Sequence, residues 1–377
     1  MNTSNAKQIW VVKAGSSLLT KQGAGLNHQF INLWVKQILE LRKRNIDCIL
    51  VSSGAVAEGL NRMKIQSRPH ELHMLQAAAA IGQMGLIQYY ESQFQKHQLH
   101  TAQILLTHED FSHRQRYLNA RSTLKTLLEL KVVPIVNEND SIAIDEIRFG
   151  DNDTLAALVA NLVDANRLII LTDQNGLFSD DPRQNPNATL VTKDYAGNPD
   201  LIKLATKGKP GKLGRGGMLT KVKAAERAAL SGTTTIIASG NQANILTSIA
   251  DNNPDTGTWL LTDKEPLSAR KQWLANQLQI KGKIIIDQGA KKVLTNKGSS
   301  LLAVGISTCS GKFSRGEAVL CVDENGHEIA QGLINYNNEE TKLIAGKPST
   351  EFEAILGYID EPELIHRDNL VILSSES

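Results

Sequence analysis

The feature that most constrains this chain is an alternation that runs as far as Leu261: short β-branched runs take turns with longer stretches of helical spacing. Strands are expected over residues 9–13, 48–52, 101–106, 132–136, 167–172, 234–238 and 258–261. Helices are expected over 27–44, 71–94 (as one or two), 116–130, 154–163, 219–230 and 242–250. In the first of these, Phe30, Leu33, Trp34, Ile38 and Leu41 share one stripe, as an amphipathic helix requires. Strand–helix alternation builds a parallel sheet with helices on both faces. The strand runs are apolar throughout, which fits strands that meet water on neither face. In such sheets ligands bind at the carboxyl ends of the strands.

Between residues 254 and 283 the pattern loosens, with Pro254, Gly257, Pro266 and Gly282, and the polar stretch 264–278 reads as a connection. Beyond it the elements shorten: strands are expected at 284–287, 300–303, 318–322 and 328–333, and a helix at 289–296. The expected fold class is therefore α/β, a three-layer αβα sandwich on a mostly parallel central sheet, followed by a small mostly-β domain. The expected boundaries are a catalytic domain at 1–262, a linker at 263–279, the small domain at 280–365 and a C-terminal tail at 366–377.

Composition excludes several classes. With 41% hydrophobic residues the chain has enough apolar material for a core, so it is not wholly disordered. Lys and Arg number 41 against 39 Asp and Glu, a balance without the footprint of a nucleic-acid binder. Apolar runs such as 76–81 and 168–171 fall far short of the roughly 20 residues that span a bilayer, so no membrane partner is expected. Residues 1–10 lack a basic region followed by an apolar run, so no signal peptide is expected. The three cysteines, Cys48, Cys309 and Cys321, are odd in number, widely spaced and free of any CxxC pair, which argues against a disulfide framework or zinc. Thiols in a reducing, cytoplasmic setting are expected.

Chemistry-bearing residues collect just after the strands. Lys13-Ala14-Gly15-Ser16-Ser17 follows the first, where a lysine can reach a phosphate and backbone N–H groups can approach anionic oxygens. Ser52-Ser53-Gly54-Ala55 follows the second and suits a carboxylate, or equally a helix cap. Val136-Asn137-Glu138-Asn139-Asp140 offers carboxylates and amides to a zwitterion, or forms a solvated turn. In Gly150-Asp151-Asn152-Asp153-Thr154, Asp151 or Asn152 can cap a helix, and Asp153 can orient lysines. Carboxylates there are too few for a metal cage, so no metal site of the protein's own is expected and Mg²⁺ would arrive mainly on nucleotide phosphates. Leu171-Thr172-Asp173 leaves another strand, and Gly214-Arg215-Gly216-Gly217-Met218-Leu219-Thr220-Lys221 opens a helix. Each pattern alone also suits an ordinary turn. Together they set two lysines, two glycine loops and several acidic or amide groups at one rim. No Gly-x-Gly-x-x-Gly follows the first strand, which favours phosphoryl over hydride transfer.

On these residues, together with Arg116-Tyr117-Leu118-Asn119-Ala120-Arg121, the chain resembles the amino acid kinase family, in its glutamate-phosphorylating branch. The C-terminal part, with Asp287-Gln288-Gly289-Ala290, Lys312-Phe313-Ser314-Arg315-Gly316-Glu317 and Ile355-Leu356-Gly357-Tyr358, resembles a PUA domain. The resemblance implies phosphorylation of the L-glutamate γ-carboxylate by ATP, the first step of proline biosynthesis, with ATP and Mg²⁺ as cofactors. It implies Lys13, Lys221 and Asp153 as catalytic, and Ser53, Asp140 and Asn152 as binding glutamate. It gives ATP the residues Lys13, Thr172, Asp173, Arg215, Gly216, Gly217, Met218, Leu219, Thr220 and Lys221. It further implies feedback inhibition by proline through the loop 138–150, delivery of product to a glutamyl phosphate reductase, and a homo-oligomer, dimer or tetramer. Two residues depart from the family pattern: Arg215 stands where threonine is common, and Ala14 where a larger apolar residue is.

The chemistry fits this inventory. A γ-carboxylate with a pKa of about 4.3 is already an anion at neutral pH and needs no general base. The site must instead bring anions together and neutralise the moving phosphoryl group. Acetylglutamate, aspartate or carbamate phosphorylation is the alternative within the fold, and the small β domain with the 137–140 run favours glutamate. RNA binding through the C-terminal part is the alternative outside it. Residues 276–377 carry ten Lys and Arg against fourteen Asp and Glu, a poor match for a phosphate backbone, so nucleic acid is not an expected partner.

Overall fold

The computed structural model describes residues 7–20, 25–142, 151–206, 217–262, 280–297 and 299–373. The chain divides into two compact units, one of residues 1–112 and 119–266, the other of 113–118 and 267–377.

The first unit is built on an eight-stranded sheet. Its strands are β1 (Gln8–Ala14), β2 (Ile46–Ser52), β3 (Thr101–Leu106), β4 (Val133–Glu138), β5 (Arg167–Thr172), β6 (Lys193–Tyr195), β7 (Thr234–Ser239) and β8 (Thr258–Leu261). They lie in the order β3-β4-β2-β1-β5-β7-β8-β6. Every pair from β3 to β7 is parallel, and β8 turns antiparallel against β7. The order reverses at β1, which pairs with β2 on one side and β5 on the other. Crevices at such a switch point are where open α/β sheets hold ligands.

The helices of this unit are α1 (Ser16–Leu19), α2 (His28–Lys43), α3 (Ala55–Arg62), α4 (Leu72–Gln95), α5 (His108–Ser112), α6 (Arg114–Glu129, which belongs to it from Asn119 onward), α7 (Asn152–Val163), α8 (Pro199–Thr206), α9 (Met218–Ala229) and α10 (Ile245–Ala250). On α2, Ile31, Trp34, Val35, Ile38 and Leu41 are buried, while Phe30 packs at the margin of the same core. That core also takes Trp10, Val12, Leu50, Tyr90 and Phe94. The long stretch expected as one or two helices is the single helix α4. Its partner α3 lay outside the expected helices because Gly59 interrupts a short run. That glycine marks a close crossing. A Cβ on Gly59 would sit 1.8 Å from the Ala78 carbonyl oxygen, and one on Gly82 would sit 1.8 Å from that of Ala55. The two helices therefore touch backbone to backbone.

The second unit has a five-stranded sheet of β9 (Ile280–Ile286), β10 (Ile306–Gly311), β11 (Ala318–Val322), β12 (Glu328–Leu333) and β13 (Leu370–Ile372), in the order β10-β9-β11-β12-β13. Helices α11 (Gln288–Lys297), α12 (Asn338–Ile344) and α13 (Phe352–Leu356) accompany it. Tyr336 and Phe352 meet edge to face at 5.4 Å within its core. Two expectations need correction. Residues 300–303 are not a strand; Leu301 makes one bridge to Ile365 and the chain then turns through Ala303–Gly305, so pairing begins only at Ile306. The expected tail contributes β13, a three-residue edge strand on β12, too short for a sequence period to show. The expected linker at 263–279 lies outside the described residues. Among the described residues no helix is long and apolar enough to cross a membrane.

Candidate active site

Three elements deliver charge to the switch point. Strand β1 carries Lys13, one residue before it ends, and Gly15 then ties back through its N–H to the Leu171 carbonyl on β5 at 3.2 Å. Helix α7 opens with Asp151, whose carboxylate accepts from the Thr154 N–H at 2.8 Å, so Asp151 is the cap and Asp153 is placed in the first turn. A carboxylate there also gains from the helix dipole. Helix α9 opens at Gly217, and Lys221 stands about one turn inside it.

These residues converge. The Lys13 Nζ lies 2.7 Å from Asp153 Oδ1, and the Lys221 Nζ donates to Asp153 Oδ2 at 3.0 Å. Thr220 Oγ1 donates to the same Oδ2 at 2.8 Å. Asp153 is fully enclosed at 0% exposure, and each lysine is 6% exposed. Burial lowers the Lys13 pKa from its ordinary value; the Asp153 carboxylate opposes that shift and the Lys221 charge adds to it. Burial would raise Asp153, but the two ammonium groups outweigh it and hold the carboxyl well below the usual range. Burial raises Asp151 against its capping hydrogen bond. The direct contacts thus set two cations on one anion, and the nearby Asp151 carboxylate also acts on Lys13.

A second set lies at the ends of β2 and β4. Gly54, at φ +102°, turns the chain from β2 into α3 and leaves Ser53 at the junction. Asn152 Nδ2 donates to Ser53 Oγ at 2.8 Å and to Asn137 Oδ1 at 3.0 Å. Asn137 Nδ2 donates in turn to Gln83 Oε1 at 2.8 Å. Asp140, in the turn after β4, lines a small pocket with Gln83, Glu138 and Asn139. Sequence reasoning offered Asn137 only as one amide of the 136–140 run, without assigning it to glutamate, and passed over Gln83. The one available signal was an amide among alanines and glycines on the buried side of α4.

Of the residues assigned to nucleotide, Thr172 ends β5 and its hydroxyl donates to Asp173 at 3.0 Å. Gly217, Met218, Leu219, Thr220 and Lys221 form the start of α9, where Gly217 brings no side chain to cap the helix. Arg215 and Gly216 lie outside the described residues, as do 143–150 of the loop assigned to proline. Among the described residues no three His, Cys, Asp or Glu side chains stand together as a metal site. Asp153 is already engaged by two lysines, so the donor set does not form a protein-built cage for Mg²⁺.

The chain as a whole is similar to known proteins. Residues 8–239 match the amino acid kinase family and residues 282–356 the PUA domain. A glutamate 5-kinase of Thioalkalivibrio sulfidiphilus is 58% identical over 366 residues, covering 97% of this chain and 96% of that protein. Another, of Nitrosospira multiformis, is 58% identical over 363 residues, 96% and 97% of the two chains. A third, of Nitrosococcus oceani, is 58% identical over 368 residues, 98% of each. The chain belongs to the amino acid kinase family and, within it, to the glutamate 5-kinases.

Proposed function

We propose that the chain transfers the γ-phosphoryl group of ATP to the γ-carboxylate of L-glutamate, giving ADP and L-glutamyl 5-phosphate at the first step of proline biosynthesis. The observation that carries this reading is the convergence of Lys13 and Lys221, from separate elements, on the buried Asp153. A carboxylate oxygen attacks the γ-phosphorus as the bond to the bridging oxygen of ADP breaks. The nucleophile is already ionised, so the site supplies no base. Lys13 and Lys221 neutralise charge on the phosphoryl oxygens, and Asp153 positions both. Such electrostatic preorganisation is usually the largest single contribution to catalysis. Ser53, Asn152 and Asp140 hold glutamate, with Asp140 taking the α-ammonium. Thr172, Asp173 and the start of α9 hold ATP, the helix N-terminus offering its N–H groups to phosphate. Mg²⁺ enters on the nucleotide phosphates, where it screens their charge.

The same reading makes proline a feedback ligand near the glutamate site and a glutamyl phosphate reductase the consumer of the labile acyl phosphate. It also carries a homo-oligomer in the cytoplasm. The test is glutamate-dependent ADP release by the purified chain, with acetylglutamate, aspartate and carbamate as competing substrates and with proline added. Release that depends on one of the other acceptors and ignores glutamate would overturn the assignment.

A further inference from the structure

The proposed function gives Asp140 to the substrate's ammonium and the lysines to the transferred phosphoryl group, and lets Ser53 and Asn152 hold glutamate without giving the α-carboxylate a donor of its own. We infer that Gln83 donates its side-chain N–H to that α-carboxylate, and that Asn152 and Asn137 fix which end of the amide faces the pocket.

The argument runs through the polarity of a chain of amides. A side-chain amide has one donor end and one acceptor end. Asn152 spends its nitrogen on Ser53 Oγ at 2.8 Å and on Asn137 Oδ1 at 3.0 Å. With its oxygen so occupied, Asn137 turns its nitrogen onward, to Gln83 Oε1 at 2.8 Å. Gln83 is then left with its nitrogen. That nitrogen is buried and has no hydrogen-bond partner, and the residue is 6% exposed. An unmatched buried donor is costly, and a ligand acceptor relieves it.

Gln83 and Asp140 line the same pocket. In the proposal the Gln83 donor and the Asp140 carboxylate match the two charged substituents of an amino acid's α-carbon. An N–H suits an anion and would repel an ammonium. The helix that carries Gln83 is also fixed in place, because the neighbouring Gly82 meets the Ala55 backbone with no room for a Cβ. The donor is therefore carried on a closely packed stretch of α4. The opposite polarity, with every amide turned over, would present Oε1 to the pocket and suit the ammonium instead.

This inference rests on the glutamate kinase reading, and the experiment separates the two. Gln83→Met removes the donor, and Gln83→Glu keeps the acceptor for Asn137 while setting a carboxylate against the substrate's own. Steady-state constants for glutamate and ATP are measured at pH 8, with thermal midpoints to confirm folding. Loss of a hydrogen bond to a charged group raises the glutamate KM by about tenfold in the Met variant. The Glu variant rises further, by about a hundredfold, because repulsion adds to the loss. The ATP KM stays put and kcat changes by less than about threefold, as expected for a contact made equally in ground and transition states. A Glu variant with a glutamate KM at or below that of the Met variant overturns the donor assignment. A fall in kcat with unchanged glutamate KM overturns it too. An unaltered chain that shows no glutamate-dependent turnover overturns the parent reading, and this inference with it.

Discussion

The substitution Asp153→Asn tests the centre of the site, because it keeps the side-chain shape and removes the charge. Asp153 is fully buried, with the two lysine nitrogens at 2.7 and 3.0 Å. Unit charges 4 Å apart attract by about 4 kcal/mol at an effective dielectric of about 20, before desolvation is subtracted. Removing one partner of a buried pair commonly costs about 3–5 kcal/mol, since the other charge is left uncompensated. Here two cations lose their one shared anion, and asparagine's nitrogen turns a donor toward one of them. At about 2–4 °C per kcal/mol for a unit of this size, the thermal midpoint is expected to fall by about 10 °C. Loss of the aligned lysines is expected to lower kcat by about 10²–10³-fold.

The pH dependence gives the sharper check. Asp153 has its folded pKa depressed below the ordinary 3.8, so its contribution to stability is present above that value and is lost as pH falls below it. The stability gap between the parent and Asp153→Asn should be constant near neutrality and close only below about pH 4. Lys13 must stay protonated to act, and its pKa already lies below 10.5 because of burial. Asparagine removes the carboxylate that opposes that shift, so the alkaline limb of kcat should move to lower pH in the variant. Loss of activity should accordingly be smaller at pH 6 than at pH 8. A variant whose kcat stays within about threefold of the parent, or whose alkaline limb does not move down, would refute the positioning role.

Lys221→Met is expected to cut kcat by about 10²–10³-fold with little change in glutamate KM, read from initial rates of ADP release. Asp140→Ala should raise the glutamate KM by tenfold or more and leave the ATP KM alone, since a charged hydrogen bond of about 1.5–3 kcal/mol is lost. Gly82→Ala forces a Cβ to within 1.8 Å of the Ala55 oxygen, and the backbone shift should cost about 1–3 kcal/mol in denaturant unfolding. All three cysteines are buried and free, and burial pushes the Cys321 thiol up to about 12 and raises Cys48 as well. Iodoacetamide at pH 8 should therefore leave the folded protein unlabelled and modify the cysteines only in denaturant, as counted by mass spectrometry.

Sequence reasoning succeeds where a physical boundary is written into local composition. The strand bounds Thr101–Leu106 and Arg167–Thr172 match expectation because each contains a short apolar run, Ile104–Leu106 and Leu168–Leu171, set among polar residues. It fails where pairing is set from a distance. Strand β10, of sequence ISTCSG, shows no apolar period; only two of its residues are buried, and its partner β9 places it. Strands β6 and β13 have three residues each, and α8, α12 and α13 are short, so no period develops. In the site, Lys13, Asp153 and Lys221 were legible by type and by position after a strand or at a helix start. Their meeting was not. Asp153 and Lys221 are 68 residues apart and Lys13 is farther still, and only the strand order that sets β1 beside β5 brings them to one point. Gln83 was invisible for another reason. Its significance lies in an unpaired atom, and an amide in an alanine-rich helix does not show which of its ends is occupied.

The charge count of the cluster explains why a single carboxylate serves two lysines. Two buried ammonium groups without a counterion would shed protons, and Lys13 is already under that pressure. A matched pair of carboxylates would keep both protonated but would cancel the field that phosphate needs. One shared carboxylate does neither. It opposes the burial that lowers Lys13 and touches both ammonium groups, so direct contact leaves two cations sharing one anion. The starts of α7 and α9 add their dipoles at the same place, each worth about half a positive charge. Asp151 and Asp153 take up part of the first, whereas the start of α9 carries only Gly217 and two neutral side chains ahead of Thr220. The site is therefore incomplete until an anion arrives. Under the proposed function that incompleteness is spent on the transferring phosphoryl group, because the residues that would relax around it are already packed and paired.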